Sequence, residues 1–247
     1  MNAIEDSPFR REWEALGRRL PRPEAILCVS AHWETRGAFL TGAAAPQTIH
    51  DFYGFPEELF AVRYPAPGAP ELAQRAASLL KRYGAGLDPE RGLDHGCWSV
   101  LVAMYPGAEV PVVQLSLDTR ESGSFHYRLA RELRPLRDEG VLIVGSGNVV
   151  HNLRLIDFAL DSGYDWALRF DGLVRRRVEA ADHAALAAYR ELGPEARLAV
   201  PTPEHYLPLL YALGVQDAGE PVRLFNTGAV LGSISMTSVV VGSVGEA

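Results

Sequence analysis

At 247 residues and a formal net charge of -7, the chain is long enough to bury a sizeable core and too acidic for non-specific binding to nucleic acid through clustered phosphate contacts. Hydrophobic residues make up 47% and charged residues 22%, which excludes a disordered or fibrous chain. No apolar stretch approaches the ~20 residues needed to span a bilayer, and no basic segment followed by an apolar run opens the chain, so the expected location is the cytoplasm.

The run from Ala25 to Ser30 is short, partly β-branched and bounded by proline, and reads as a fully buried strand. Similar runs recur from Val110 to Leu115 and from Val141 to Val144. Helical periodicity separates and follows them: Pro70 to Tyr83, Cys97 to Tyr105, Phe125 to Arg137 with Gly140 as a stop, Trp166 to Ala180, and His183 to Leu192. The final segment "VRLFNTGAVLGSISMTSVVVG" reads as two strands joined by a glycine-containing turn, placed at one edge of the sheet. This alternation predicts a single α/β domain over 1–247, with a mostly parallel central sheet, flanking helices and a C-terminal strand pair. "YPAPGAP" at Tyr64 to Pro70 reads as an ordered loop. The basic runs Gly17 to Arg19 and Arg175 to Arg177 are either solvated helix faces or contacts for an anionic partner. Cys28 and Cys97 do not read as a disulfide framework, and Cys28 reads as a small hydrophobe in a strand.

The chemistry-bearing residues are the histidines. His32, His151 and His205 each lie at or just beyond an apolar stretch, in "VSAHW", "VGSGNVVH" and "PTPEHYLP". Imidazole is the commonest protein ligand of transition metals, and the carboxyl ends of strands are where α/β folds collect their sites. Each histidine also has a plain reading: a hydrogen-bonded core residue at His32, a structural turn before His151, a helix cap at His205. "GSGNVV" lacks the third glycine of a dinucleotide fingerprint, so Gly145 and Gly147 read instead as a tight turn admitting a ligand close to the main chain. His50 and Asp51 stand beside Phe52, Tyr53 and Phe55, a mixture of proton carriers and aromatic faces suited to an aromatic substrate. His95, between Asp94 and Gly96 ahead of a helix, is a place for an imidazole oriented by a carboxylate. His126 and His183 lie in helical, polar surroundings and read as solvated. Zinc-finger spacing, a Walker loop, a nucleophile elbow and HExxH are all missing, so the residues predict a metal site of distant histidines without naming the reaction.

Taken together, "SAHW", "TIHDFYGFP", "YPAPGAP", "GLDHGCWSVL", "MYPGAEVPVVQLSLD", "GSGNVVHNLR" and "PTPEHYLPLLYALG" closely resemble the class III extradiol ring-cleavage dioxygenases, in particular the 4,5-DOPA dioxygenase group. The resemblance runs from about Trp13 to the final strand. It implies a non-haem dioxygenase that inserts O2 into a catechol ring, with Fe(II) for catalysis and Zn(II) able to occupy the same site. It matches His32, His151 and His205 to metal ligands, with His151 also matched to acid/base work, and His95 to a second catalytic histidine. His50, Asp51, Phe52 and Asn148 would face the substrate. The implied reaction needs an imidazole that removes a catechol proton and later returns one, which a pKa near ~6.5 permits. The family pattern also has a first strand ending in a "GHGSP" loop with a further ligating histidine. Met1 here aligns just after that loop, so this strand and ligand are expected to be missing from the sequence as given. Two competing readings are a metal-dependent hydrolase, disfavoured because no general-base carboxylate stands out beside the histidines, and an inactive relative acting as a binding protein. The implied partners are a small catechol and O2, with no nucleic acid and no membrane.

Overall fold

A computed structural model describes residues 1–245. In chain order its elements are α1 (Pro8–Arg19), β1 (Ala25–Glu34), β2 (Phe39–Thr41), α2 (Glu57–Ala61), α3 (Pro70–Leu79), β3 (Gly86–Asp88), α4 (His95–Met104), β4 (Val112–Leu117), α5 (Gly123–Glu132), α6 (Pro135–Asp138), β5 (Val141–Ser146), α7 (Asp165–Glu179), α8 (His183–Ala187), α9 (Ala196–Ala199), α10 (Leu207–Gly214), β6 (Val222–Phe225), β7 (Ala229–Val230), β8 (Ile234–Ser235) and β9 (Ser238–Val241). Among the described residues, no helix is long and apolar enough to cross a membrane. The described residues pack as two compact units, one of residues 1–118, 132–146 and 244–245, the other of residues 119–131 and 147–243.

The first unit carries the central sheet, in the order β3-β2-β4-β1-β5. β1 pairs parallel to both β4 and β5, β2 pairs parallel to β3, and only β2 with β4 is antiparallel. The apolar run of β1 is buried from Ala25 to Ala31 because it lies inside the sheet, with strands on both sides and α4 packed on it. β1 extends past Ser30 to Glu34, and its register against β4 shifts between Val29 and Glu34. His32 therefore lies within the strand, in an irregular stretch, and not just beyond its end. Such irregularities re-aim side chains near sites. β5 was expected to be buried along Val141 to Val144, yet only Val141 is, because β5 is an edge strand with β1 as its one partner in the sheet.

The expected helices are present, but that from Pro70 ends at Leu79 and that from His183 ends at Ala187, both short of the expected bounds. Ser7 caps α1 by accepting from the Arg10 N–H, and Arg18 and Arg19 stand at its negative end. The segment expected as one helix from Phe125 to Arg137 is two, because Pro135 cannot continue the hydrogen bonding of α5 and instead starts α6. Gly140 follows with φ +78°, the left-handed conformation that ends the turn. Cys28 and Cys97 are buried free thiols.

The second unit holds α7 to α10 and the terminal strands. These form two small antiparallel sheets of their own, with β6 paired to β9 and β7 to β8 nested inside it. The expected strand pair is present, but it does not extend an edge of the central sheet. Gly228 and Gly232 both adopt positive φ and break the segment into four short strands. Of the two histidines expected to be solvated, His126 is buried in this unit and His183 is partly buried at its surface. His126 is 1% exposed with Nδ1 2.9 Å from the Tyr211 hydroxyl, and His183 Nδ1 lies 2.9 Å from the Tyr127 hydroxyl.

Candidate active site

The first unit gathers His32, Asp51 and His95, whose ligand atoms all lie within 4.8 Å of one another. β1 supplies His32, the start of α4 supplies His95, and the loop before α2 supplies Asp51. A buried polar network sets this arrangement. Asp94 is fully buried at the head of α4, where its Oδ1 accepts from the Cys97 N–H and from the Ser30 hydroxyl of β1 at 2.7 Å. Asp94 and Gln114 of β4 bond reciprocally: the Asp94 N–H donates to Gln114 Oε1 at 2.8 Å, and Gln114 Nε2 donates to Asp94 Oδ2 at 2.7 Å. Arg91 adds a bond to Asp94 Oδ2 at 3.3 Å. The helix start is thereby tied to two strands at once.

Gly96 permits the close approach. A Cβ there would lie 2.3 Å from Ser30 Oγ and 2.7 Å from His32 Cδ2. Without one, the rings of His32 and His95 sit 3.8 Å apart. The carboxylate that orients His95 is Asp51 and not the adjacent Asp94: Asp51 Oδ1 accepts from the His95 backbone N–H at 3.0 Å and lies 2.9 Å from His95 Nδ1. Burial opposes the charge on Asp51, but the hydrogen bonds from His95 outweigh it and bring the carboxyl down to about 2. Burial pushes the His32 imidazole below its ordinary range, and repulsion from His95 adds to this. Neutral imidazole is the form that binds a metal.

The loop carrying Asp51 is held by backbone pairing with the segment before α4: the Ile49 N–H donates to the Leu93 carbonyl and the Leu93 N–H to that of Gln47. Trp98 Nε1 donates to the Ile49 carbonyl at 2.8 Å. Phe52 stands edge-on to His95 at 5.3 Å and packs on Phe60 at 4.7 Å. His50 Nε2 donates to the Val62 carbonyl at 2.9 Å, and its ring lies 5.6 Å from Trp98. The result is an aromatic wall beside His95, continued outward by the largely exposed Phe55 and Tyr53.

The second unit gathers His151, Glu204 and His205, again with ligand atoms within 4.8 Å. The two imidazoles stack in parallel with centroids 3.4 Å apart. His205 does not cap a helix; it lies in the turn before α10, which begins at Leu207 with Pro208 in its first turn. Gly147 lets the two segments meet, since a Cβ there would fall 2.2 Å from the His205 carbonyl oxygen. The glycine admits protein backbone. The His151 N–H donates to the Ala199 carbonyl at 2.9 Å, and an isolated antiparallel bridge joins His151 to Ile234. Asn148, expected to face substrate, has its side chain engaged with His205 and Ser235.

The three expected metal ligands thus appear as His151 with His205 in one cluster and His32 with His95 in the other. Asp51 was expected to face the substrate and not to hold His95, and Glu204 was not singled out; both stand beside the histidines, where no carboxylate was expected to stand out. Glu204 was legible as the direct neighbour of His205, whereas Asp51 is 44 residues from His95. Imidazole suits both iron and zinc, so the histidines of these groups fit the metal that the resemblance implies.

The chain belongs to the aromatic ring-opening dioxygenase family defined by the catalytic LigB subunit, whose family model matches residues 7–241. It is an extradiol ring-cleaving dioxygenase, a metal-dependent oxidoreductase that takes a small-molecule substrate and O2. It is 47% identical to a 4,5-DOPA dioxygenase extradiol of Escherichia coli (strain K12), over 98% of this chain and 91% of the relative. A 4,5-DOPA dioxygenase extradiol of Beta vulgaris is 38% identical over 96% of this chain and 93% of that protein. The crystal structure of an uncharacterized protein from Escherichia coli K12 superposes with a TM-score of 0.83 at 44% identity, covering 96% of this chain and 93% of the other.

Proposed function

We propose that the chain opens the ring of a small, DOPA-like catechol next to its diol, using Fe(II) held by His32, His151 and His205, with Zn(II) able to bind the same residues. The ligand assignment rests on the resemblance of their segments to the family, and the substrate class on the names of the relatives. Bound Fe(II) supplies the electron transfer between catecholate and O2 that the organic ring alone does not provide.

The observation that carries the reading is His95, held by Asp51 and standing beside Phe52. Asp51 accepts the Nδ1 proton, which leaves Nε2 of the neutral ring as the base. His95 then takes one catechol hydroxyl proton, the Asp51 carboxylate stabilises the imidazolium formed, and the same Nε2–H later returns a proton to the opening product. Phe52, with His50 and Asp51 alongside, supplies the face against which an aromatic ring packs. His151 belongs with the ligands, and the proton work falls to His95.

The test is to reconstitute the protein with Fe(II), add a panel of small catechols without oxygen, and then admit O2. Oxygen uptake with a yellow ring-opened product is expected, and it should require an intact vicinal diol. Turnover that proceeds equally without O2 would replace this reading with hydrolysis.

A further inference from the structure

Asn148 and His205 hold each other through two hydrogen bonds. The Asn148 backbone N–H donates to the His205 carbonyl at 2.8 Å, and Asn148 Oδ1 lies 3.0 Å from His205 Nδ1. The direction of the second bond follows from the other end of the amide. Asn148 Nδ2 is 2.7 Å from the Ser235 carbonyl, which can only accept, so the amide nitrogen faces Ser235 and the oxygen faces His205. A carbonyl-type oxygen cannot donate, so His205 Nδ1 carries the proton and Nε2 carries the lone pair.

Ser235 is itself fixed. Its N–H donates to the Val150 carbonyl at 2.9 Å, and its hydroxyl donates to the buried carboxylate of Asp171 at 2.7 Å. Asp171 is fully buried and ion-paired with Arg175 at 2.9 Å. An unbroken line of contacts therefore runs from α7 through β8 and Asn148 to the imidazole. A surface amide with rotational freedom would impose no tautomer; this one is clamped at both ends.

We propose that Asn148 is a positioning residue that holds His205 in the Nδ1–H tautomer, so that Nε2 is the atom presented to the metal. This rests on His205 being a ligand, and it gives Asn148 a role other than contact with substrate. Partners that orient a ligating histidine typically set metal affinity by about 10–100-fold.

The experiment uses histidine-15N-labelled protein free of metal, with the His205 signals assigned by their loss in H205Q. Two-bond 1H–15N correlation at about pH 8.5, above the ordinary histidine pKa of about 6.5, reads the tautomer directly. The expected wild-type result is Nδ1 protonated and Nε2 bare. N148L and N148D both lose the donor to Ser235, but only N148L also loses the acceptor for His205. N148D is expected to keep the Nδ1–H tautomer and to bind Zn(II), in competition with a chelator, within about 3-fold of wild type. N148L is expected to lose the preference and about 10–100-fold in Zn(II) affinity. A wild-type Nε2–H tautomer overturns the proposal, as does equal loss of affinity in the two variants, which a purely structural role would give. If N148L does not fold, the wild-type and N148D tautomers decide. Unchanged Zn(II) binding in H205A removes His205 from the ligand set while leaving the tautomer result intact, so the two failures are distinguishable.

Discussion

The Asp51 carboxylate accepts from both the backbone N–H and the ring of His95, at 3.0 and 2.9 Å. One carboxylate thus fixes the position of the residue and the orientation of its imidazole. It also faces the cationic form that the ring would acquire on taking a proton.

Asp51→Ala should therefore lower kcat by about 10–100-fold, and His95→Gln by at least about 100-fold, the ordinary scale of general acid–base catalysis. Bound iron should stay near the wild-type level in both. Because the two residues act as a unit, the double variant should be scarcely slower than His95→Gln. Oxygen-uptake kinetics with parallel metal analysis provide the check, and additive losses would separate the two residues.

The same pair gives a pH signature in stability. Asp51 is held at about 2 in the folded protein, below its ordinary 3.8. A depressed carboxyl contributes stability that is fully present above the unfolded pKa and is lost as pH falls through the folded one. The thermal midpoint of wild type should thus exceed that of Asp51→Asn at pH 5, and the gap should close between about pH 4 and pH 2. A gap that widens on acidification would contradict the assignment.

Asp94→Ala should destabilise the protein by about 2–4 kcal/mol. The change leaves the buried Gln114 Nε2 and the Ser30 hydroxyl proton without their carboxylate acceptor and removes the side-chain cap of α4. Denaturant unfolding at pH 7 measures this. Asp94→Asn should cost less, since its amide oxygen can still accept from Cys97 or Gln114.

Gly96→Ala should act on the metal more than on the fold. The added methyl meets Ser30 Oγ and the His32 ring at distances that no real contact tolerates, and His32 is the part able to rotate away. Iron or zinc affinity is expected to fall by about 10-fold or more, as for other losses of ligand orientation, with a change in unfolding free energy of about 1–3 kcal/mol. Competition with a chelator gives the first quantity and denaturant unfolding the second.

Much of this protein was legible in local pattern. The buried run of β1, the helical periodicity from Pro70, Cys97 and Trp166, and the seven family segments are short-range properties of the chain, and they survive folding because propensity and periodicity act over a few residues. The two-helix break at Pro135 is equally local, but the helical periodicity runs on through it and masks it. The nested terminal strands were not legible, because pairing β6 to β9 across β7 and β8 depends on which of several short apolar runs find partners.

Sequence alone determined the inventory of chemistry: His32, His95, His151 and His205, the aromatics around His50, and membership of a ring-opening family. Only tertiary structure decided which carboxylate serves which histidine. Asp94 adjoins His95 in the chain yet turns into the core to cap α4, while Asp51 arrives from another loop to take the imidazole proton. The side chain of Asn148, which in sequence could equally have faced substrate, is spent between Ser235 and His205. The reason is common to both cases. A hydrogen bond is set by a few tenths of an ångström and an angle, and those are fixed by the packing of segments far apart in the chain.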